Sequence, residues 1–205
     1  MKLAPRDSGG FRLWRKLCGS VTASPPLVRP AEAGDGLAIA RINVAAWESA
    51  YAHVFPPERL AARWASSERA GEWWAERIRS QKPPDRTLIA EQESQIVGFA
   101  DIGPSRDDDA DQQRTGEVNL IYVQPDRWGR GIGQALMAEA LRLMHGDGFG
   151  EATLWVLRDN PLGRRFYEAG GWGLDGALKD NELLESRVTE LRYRIQLDGR
   201  IGASG

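Results

Sequence analysis

Three glycines, Gly129, Gly131 and Gly133, follow a strand-like run and open a long amphipathic segment. Glycine allows unusual backbone torsions and a close approach of the backbone to a ligand. The free N–H groups at the start of a helix point outward and attract anions. This spacing therefore indicates a cradle for a pyrophosphate. The alternative interpretation is a tight turn from strand to helix that holds no ligand.

Other signatures of nucleotide or metal chemistry do not fit this sequence. The glycine spacing differs from the dinucleotide pattern G-x-G-x-x-G and lacks its early strand position and acidic partner. No Gly-Lys-Ser or Gly-Lys-Thr closes a Walker-type loop, and the kinase motifs are absent. Two histidines, His53 and His145, are too few for a metal site or a serine triad. We therefore predict no metal.

The hydrophobic pattern predicts the elements that position the glycine loop. Apolar runs predict strands at 27–30, 87–90, 96–102, 117–123, 152–157 and 187–197. Helical spacing predicts helices over about 35–51, unevenly over 57–80, from the glycine loop to about 146, and from Asn160 to Ala169. Strands mixed with helices in this order predict an α/β (α+β) domain around one central sheet.

Finer expectations concern single residues of these elements. Asp35 is predicted to cap the first helix with its carboxylate, and Asn160-Pro161 to cap the last one. The polar segment from Pro104 to Gly116 contains four aspartates and predicts a solvated hairpin connection. In the last strand, Leu191, Tyr193, Ile195 and Leu197 are predicted on one face, with Arg192, Arg194 and Gln196 on the other.

Composition bounds the class of protein. A chain of 205 residues suits one domain with a real core, and its formal net charge of -2 argues against a general nucleic-acid binder. A single cysteine, Cys18, excludes a disulfide framework and favours a cytoplasmic location. No run approaches the roughly 20 apolar residues of a membrane span. We expect a disordered leader at 1–25, one domain at 27–198 and a flexible tail at 199–205.

Two segments resemble the motifs of GNAT superfamily N-acetyltransferases. The first is VQPDRWGRGIG at 123–133, which is similar to the family's acetyl-CoA-binding pattern V-x-P-x-x-R/Q-G-x-G-I-G. Trp128 departs from that pattern, because the family usually has Arg or Gln there. The second comprises LWVLRDN at 154–160 and RFYEAGGW at 165–172, which resemble the strand–Asn–helix signature. With the strand VRPA at 28–31, the resemblance covers roughly residues 27–197.

The resemblance implies a fold and a reaction. The fold is a central mixed, mostly antiparallel sheet of about six or seven strands flanked by helices. The reaction is acetyl transfer from acetyl-CoA, as cosubstrate, to an amine acceptor. Because family members often pair through late strands, the segment from Arg187 to Leu197 is a candidate edge for a homodimer.

Catalytic roles follow residue by residue from the same resemblance. Tyr167 matches the family's general acid, a phenol that stays protonated at neutral pH and donates to the leaving thiolate. The backbone N–H of Ile121 matches the donor to the oxyanion. Glu117 stands where the histone-modifying branch keeps its general base. An ordinary strand glutamate, with the base elsewhere or supplied by water, is the alternative.

Binding roles are implied for a larger set. The expected contacts to acetyl-CoA are Ile121, Tyr122, Val123, Trp128, Gly129, Arg130, Gly131, Ile132, Gly133, Gln134, Asn160 and Arg164. The expected acceptor side comprises Trp47, Tyr51 and Asn119, and core packing is the alternative for the two aromatic residues. Asn119 lies two residues after Glu117 and therefore on the same face of the strand.

Three functions remain compatible with the sequence. The leading hypothesis is an enzyme that acetylates a primary amine of a small molecule. The second is an acetyltransferase acting on protein N-termini or lysines. The third is a noncatalytic module that senses acetyl-CoA, although a sensor needs neither Tyr167 nor Glu117.

Overall fold

The computed structural model describes residues 24–63 and 67–197. The predicted leader at 1–25, apart from Ser24 and Pro25, lies outside the described residues, as do Cys18 and the predicted tail at 199–205. The proposed domain limits therefore stay a prediction. Ser24 is held at the start of the described chain, because its carbonyl oxygen accepts a hydrogen bond from Gln92 Nε2 at 2.7 Å.

A mixed sheet forms the centre of the described chain. Its seven strands are β1 (Leu27–Pro30), β2 (Arg86–Gln92), β3 (Gln95–Pro104), β4 (Thr115–Val123), β5 (Glu151–Leu157), β6 (Gly173–Leu183) and β7 (Ser186–Gln196). They are ordered β1-β2-β3-β4-β5-β7-β6, and only the β4–β5 pair is parallel. The predicted sheet of six or seven mostly antiparallel strands is confirmed.

Helices cover both faces of this sheet. They are α1 (Gly36–Tyr51), α2 (Pro57–Arg63), α3 (Ser67–Ser80), α4 (Ile132–Gly146) and α5 (Pro161–Ala169). Ile132, Leu136 and Met144 lie on one face of α4, because they are spaced by multiples of four residues. They pack against the sheet and form one core. On the opposite face, Ile39 of α1 and Trp74 of α3 pack in a second core. The α/β class is thus confirmed.

The parallel strands β4 and β5 separate after a short paired stretch. They pair only from Thr115↔Glu151 to Glu117↔Thr153, whereas β4 stays paired with β3 as far as Val123. A bulge accompanies the separation, because Asn119 is the extra residue between two successive pairs with β3. The result is a wedge between the C-terminal parts of β4 and β5.

Two elements differ from the sequence expectations. The strand β6 was not predicted, because its residues are exposed almost throughout and so show no alternating apolar pattern. It pairs with β7 alone and forms one edge of the sheet. The prediction that the segment from Arg187 to Leu197 forms an edge of the sheet is therefore wrong, because β7 lies between β5 and β6. The homodimer itself stays a prediction.

Asp35 stands at the N-cap of α1, as predicted, but the predicted bond from its carboxylate to the helix is wrong. Asp35 makes no side-chain bond to the start of α1. Its carboxylate instead accepts hydrogen bonds from Arg29 Nη1 and from the backbone N–H of Glu32, each at 2.8 Å. The Asp35 carboxylate is therefore engaged by the ion pair with Arg29 and by the 3-10 turn Ala33–Asp35, and it does not bond the N–H groups of α1.

The acidic segment connects the antiparallel strands β3 and β4 and is mostly exposed, as predicted, but Asp107 is an exception. The Asp107 side chain is 4% exposed and accepts hydrogen bonds from Lys179 Nζ at 2.7 Å, Arg192 Nη1 at 3.0 Å and Trp155 Nε1 at 3.1 Å. Burial alone would raise the pKa of Asp107, but these hydrogen bonds hold it below its usual value.

Arg192 lies on the face of β7 opposite Leu191 and Tyr193, and its side chain is only 6% exposed. It lies beneath the acidic segment, where Asp107, Asp109 and Asp175 accept its hydrogen bonds. The three carboxylates offset the free-energy cost of removing the Arg192 guanidinium from water. The alternation of apolar residues in the sequence does not predict the burial of such a charged side chain.

Candidate active site

A cleft opens in the wedge between β4 and β5. The strand β4 contributes its residues from Val118 to Val123, and the loop before α4 closes one end. Helices α1 and α5 complete the walls. The remaining lining residues are Ala46, Ala50, Tyr51, Arg127, Trp128, Gly129, Gly131, Ile132, Gly133, Gln134, Trp155, Val156, Asn160, Leu162, Gly163, Phe166 and Tyr167.

The glycine loop brings the N-terminus of α4 to this cleft. Gly129 and Gly131 have φ values of +75° and +83°, a left-handed conformation that disfavours other residues. Gly131 directly precedes α4, so the first N–H groups of that helix face the cleft end. A Cβ on Gly133 would stand 3.3 Å from the Phe166 ring, so this glycine permits contact with α5. The loop can therefore receive an anionic group.

Trp128 is fixed beside the same loop. Its indole Nε1 donates a hydrogen bond to the carbonyl oxygen of Val123 at 2.8 Å, and its ring is 36% exposed at the cleft mouth. Arg127 also lines the cleft, whereas Arg130 is exposed and lies outside the lining. The tryptophan that departs from the family pattern thus stabilises the end of β4 through a main-chain contact.

Tyr167 presents a phenol to the middle of the cleft. Its ring packs against Phe166, Trp172 and Tyr193, with centroid distances of 5.3, 6.3 and 6.0 Å. Among the described residues its hydroxyl has no hydrogen-bond partner. Burial, with a smaller contribution from Tyr51, raises the pKa of Tyr167 well above its ordinary value. The phenol is therefore protonated at neutral pH and free to donate.

Asn160 joins two walls of the cleft. Its Oδ1 accepts the backbone N–H of Gly163 at 2.9 Å, which confirms it as the cap of α5. Its Nδ2 donates to the Tyr51 hydroxyl at 3.1 Å. A Cβ on Gly163 would lie 2.8 Å from Nδ2, so a larger residue there would displace the Asn160 amide. Contact of Asn160 with acetyl-CoA stays a prediction.

Glu117 lies just outside the cleft lining, at the last pair between β4 and β5. Its Oε2 accepts the backbone N–H of Arg106 at 3.0 Å. Burial raises the pKa of Glu117, and the Arg106 bond only partly opposes this shift. Asn119 does line the cleft, between Glu117 and Ile121 along the strand.

Most of the sequence-predicted site residues come together in the lining: Ile121, Tyr122, Val123, Trp128, Gly129, Gly131, Ile132, Gly133, Gln134, Asn160, Tyr167, Tyr51 and Asn119. Glu117, Arg130, Arg164 and Trp47 are not among them. Trp47 is buried beside Tyr51, and its Nε1 donates to the Tyr122 hydroxyl at 2.8 Å. Arg164 Nε donates to the Tyr193 hydroxyl at 3.3 Å. Their binding roles stay predictions.

Sequence reasoning missed several apolar lining residues. Ala46 and Ala50 are one turn apart on α1, and Leu162 and Phe166 are one turn apart on α5. Trp155 was missed although it alternates with the buried Leu154 and Val156 of β5. The alternation predicts that Trp155 lies on the opposite face of β5 from Leu154 and Val156. It does not predict that Trp155 borders the wedge between β4 and β5.

Two further observations bear on the class of protein. No described helix has the length and apolar character that crossing a membrane requires. Residues 24–63 and 67–197 contain no group of three His, Cys, Asp or Glu side chains placed to hold a metal ion. The expectation that the protein needs no metal stays a prediction.

The fold and the cleft together define an acyltransferase. A helix start that attracts anions stands at one end of the wedge, and the phenol of Tyr167, which has no hydrogen-bond partner among residues 24–63 and 67–197, stands in its middle. Residues 43–172 match the acetyltransferase (GNAT) family, which is more than half of the chain. The protein therefore belongs to the GNAT acetyltransferase family, whose members use acetyl-CoA.

Similar proteins agree with this assignment. An uncharacterized N-acetyltransferase, YuaI of Bacillus subtilis, is 27% identical over 135 residues, which span 65% of this chain and 73% of that protein. The mycothiol acetyltransferase of Streptomyces coelicolor is 29% identical over 132 residues, which span 62% of this chain but only 38% of that protein.

Solved structures support the fold. A GCN5-related N-acetyltransferase from Rhodopseudomonas palustris has a TM-score of 0.66 at 22% identity, covering 87% of this chain and 99% of that one. The PaiA N-acetyltransferase from Thermoplasma acidophilum, crystallised with coenzyme A, has a TM-score of 0.65 at 21% identity, covering 84% and 99%.

Proposed function

We propose that this protein transfers the acetyl group of acetyl-CoA directly to a primary amine of a small molecule. One observation carries the proposal: the N-terminus of α4 and the hydroxyl of Tyr167 border the same wedge between β4 and β5. An anion site and a proton donor along one cleft suit a phosphate-bearing acyl donor whose leaving group needs a proton.

The chain's own residues fit acetyl-CoA. The left-handed glycines at 129 and 131 leave the first N–H groups of α4 uncovered by side chains, as a pyrophosphate requires. Arg127 adds a guanidinium to the same end of the cleft. When bound, acetyl-CoA supplies the activated acyl group. We infer that Val123 and Asn160 hold its arm along β4 and β5.

Two groups act on the charges that develop during transfer. The backbone N–H of Ile121 lies on the part of β4 that β5 no longer pairs with, and it stabilises negative charge on the acyl oxygen. The Tyr167 hydroxyl gives its proton to the leaving thiolate, because its raised pKa keeps that proton bound until transfer.

Glu117 serves as the base. An alkyl amine has an ordinary pKa of about 10.4 and must lose a proton before it attacks. Burial raises the pKa of Glu117, which makes its carboxylate a better proton acceptor. Because Glu117 stands behind Asn119 rather than in the lining, we infer that a water molecule relays the proton.

A small acceptor fits the acceptor side better than a polypeptide. The Asn160–Tyr51 hydrogen bond joins α5 to the end of α1, and His53 Nε2 lies 2.8 Å from the carbonyl oxygen of Asp159. Because these two contacts join the end of α1 and the turn after it to the start of α5, we infer that this side suits a small acceptor. The mycothiol acetyltransferases among the relatives are also named for mycothiol rather than for a protein.

A turnover assay tests the proposal. The purified full chain is given acetyl-CoA and spermidine, glucosamine, amino-acid amides, or peptides with a free N-terminus or lysine, and thiol release is measured. We expect turnover with at least one small amine. Turnover with peptides alone would instead establish a protein acetyltransferase. Binding of acetyl-CoA without turnover of any acceptor would favour a sensor.

A further inference from the structure

A buried carboxylate fixes how one side chain of the cleft is turned. Asp101 of β3 is 1% exposed and accepts hydrogen bonds from the side chains of Arg77, Gln81, Thr87 and Asn119. Arg77 belongs to α3 and Thr87 to β2. Of these four donors, only Asn119 lines the cleft. Asp101 therefore links the packed interior to the acceptor side.

Asn119 occupies the bulge of β4. Ile102 pairs with Val118 and Asp101 pairs with Leu120, which leaves Asn119 without a partner residue of its own in the register. Its Nδ2 donates to Asp101 Oδ2 at 3.3 Å. A bulge redirects a side chain from the regular alternation of a strand, and bulges are common beside active sites.

The chemistry of the pair determines which end of the amide meets the cleft. Asp101 forms an ion pair with Arg77 and offers only acceptor oxygens to its neighbours. The NH2 group of Asn119 must therefore face Asp101, and Oδ1 is left as its available acceptor. Among the described residues, Oδ1 has no hydrogen-bond partner. The positions of the oxygen and nitrogen atoms in the Asn119 amide are assigned from its hydrogen bond to Asp101.

We propose that Asp101 is a positioning residue that turns Asn119 so that its Oδ1 accepts an N–H bond from the acceptor amine. This inference rests on the proposed function. A neutral amine attacks through its lone pair, so only its N–H bonds remain for recognition. An amide turned the other way would offer a donor, which competes for that lone pair.

The proton balance specifies the class of amine. The base takes the ammonium proton before attack. As the N–C bond then forms and the C–S bond breaks, the thiolate takes the proton of Tyr167, and the N–H proton that the amine loses restores the phenol. A primary amine loses one N–H proton, and its second N–H stays hydrogen-bonded to Asn119 Oδ1 in the amide product. A secondary amine lacks the second N–H. The site therefore selects primary amines over their N-methyl derivatives.

The first test is a pair of reciprocal variants. In Asp101→Asn, the new oxygen is expected at the Oδ1 position, where Arg77 Nε, Gln81 and Thr87 donate. The new NH2 group then replaces the acceptor of Asn119, so we expect Asn119 to turn its own NH2 group to the cleft. We expect at least a tenfold rise in KM for each primary amine that the wild type acetylates, with an unchanged KM for acetyl-CoA. Adding Asn119→Asp restores an acceptor toward the cleft and should return the amine KM toward the wild-type value.

Thr87→Val is the matched control, since it removes another buried donor to Asp101 but leaves Asn119 untouched. We expect it to keep the wild-type amine KM. An unchanged amine KM in Asp101→Asn, or failure of the reciprocal pair to restore it, would overturn the inference. Absence of wild-type turnover with every amine would instead overturn the proposed function.

A second measurement does not depend on the folding of the Asp101 variants. The ratio of kcat/KM for a primary amine to that for its N-methyl derivative is measured in the wild type and in Asn119→Leu. We expect a ratio above ten in the wild type that falls toward one in the variant. A ratio that survives Asn119→Leu would contradict the role of Oδ1.

Discussion

At the scale of single residues, the proposed mechanism needs Tyr167 as a protonated donor and Glu117 as an ionised acceptor. Burial raises the pKa of Tyr167, so the neutral donor persists at alkaline pH. Burial also raises the pKa of Glu117, and its carboxylate must be ionised to accept a proton. Both shifts have the same main cause, because a low-dielectric environment disfavours the charged form of each group.

Replacing Tyr167 by Phe removes the donor and keeps the ring. We expect kcat to fall by about 10²–10³, in the range of general acid catalysis, while the affinity for acetyl-CoA stays within about twofold. Steady-state kinetics and calorimetry measure the two quantities. Since the ring contacts with Phe166 and Trp172 persist, thermal unfolding should also be unchanged. A kcat equal to that of the wild type would exclude Tyr167 as the acid.

Glu117→Gln is expected to separate activity from stability. The folded-state pKa of Glu117 is raised above its usual 4.5, so its ionised form opposes folding above that pH. The glutamine should therefore increase the free energy of unfolding at pH 7, and the gain should vanish once the pH falls below about 4, where the carboxyl is protonated in both states. Urea unfolding at several pH values measures this.

The same variant tests catalysis. In the wild type, kcat/KM should fall toward acid pH with an apparent pKa above 4.5, because a protonated Glu117 cannot act as base. In Glu117→Gln this acid limb should disappear and the plateau should drop by about 10². An unchanged acid limb in the variant would place the base elsewhere.

At the scale of elements, the segment between β3 and β4 is held by charge rather than by apolar packing. Asp107 ties it to Lys179 of β6 and Arg192 of β7. Lys179 Nζ also lies 3.8 Å from the ring centroid of Trp155, a cleft residue. The edge strand β6 is thereby attached to the wall of the cleft.

Removing Asp107 leaves the buried Arg192 with fewer partners. We expect Asp107→Ala to lower the free energy of unfolding by roughly 3 kcal/mol at pH 7, as for other broken buried ion pairs. The neighbouring Asp108→Ala is the matched control, since Asp108 is exposed, and it should change stability by less than about 0.5 kcal/mol. Equal changes in the free energy of unfolding for the two substitutions would show that the contacts of Asp107 with Lys179 and Arg192 contribute nothing to stability.

The pH dependence has a defined sign. Hydrogen bonds from Lys179 and Arg192 outweigh burial and hold the pKa of Asp107 below 3.8, so its contribution is present above that value. It is lost as the pH falls through the lower folded-state pKa. The difference in stability between wild type and Asp107→Ala should therefore narrow only in strongly acidic solution.

Elements with an apolar pattern could be predicted from the sequence, and those held by distant charges could not. The strands β3, β4 and β5 contain short apolar runs, and the helix α4 has buried residues at helical spacing. The cleft residues of the glycine loop and α5 lie within short contiguous motifs. Asp107, in contrast, is paired with residues 72 and 85 positions away, and no local pattern predicts such a contact. The bulge at Asn119 likewise depends on the register with β3.

At the scale of the whole molecule, the site exists because two parallel strands separate. The β4–β5 pair shares only three residue pairs, from Thr115↔Glu151 to Glu117↔Thr153, and helices from both faces of the sheet then border the gap. Helix α4 presents its N-terminus on one side, and α1 and α5 meet through Tyr51 and Asn160 on the other. We propose that this wedge holds acetyl-CoA.

Calorimetric titration with acetyl-CoA tests that claim most directly. Three proteins are compared: the wild type, Gly131→Trp at the start of α4, and Gly146→Trp at its far end, where a Cβ meets no atom within 4 Å. Gly131→Asn is added, because asparagine tolerates the left-handed backbone of +83° and separates strain from obstruction. We predict binding by the wild type and Gly146→Trp, and loss of binding by folded Gly131→Trp. A folded wild type that does not bind acetyl-CoA, or folded Gly131→Trp that binds as tightly as Gly146→Trp, would contradict the account.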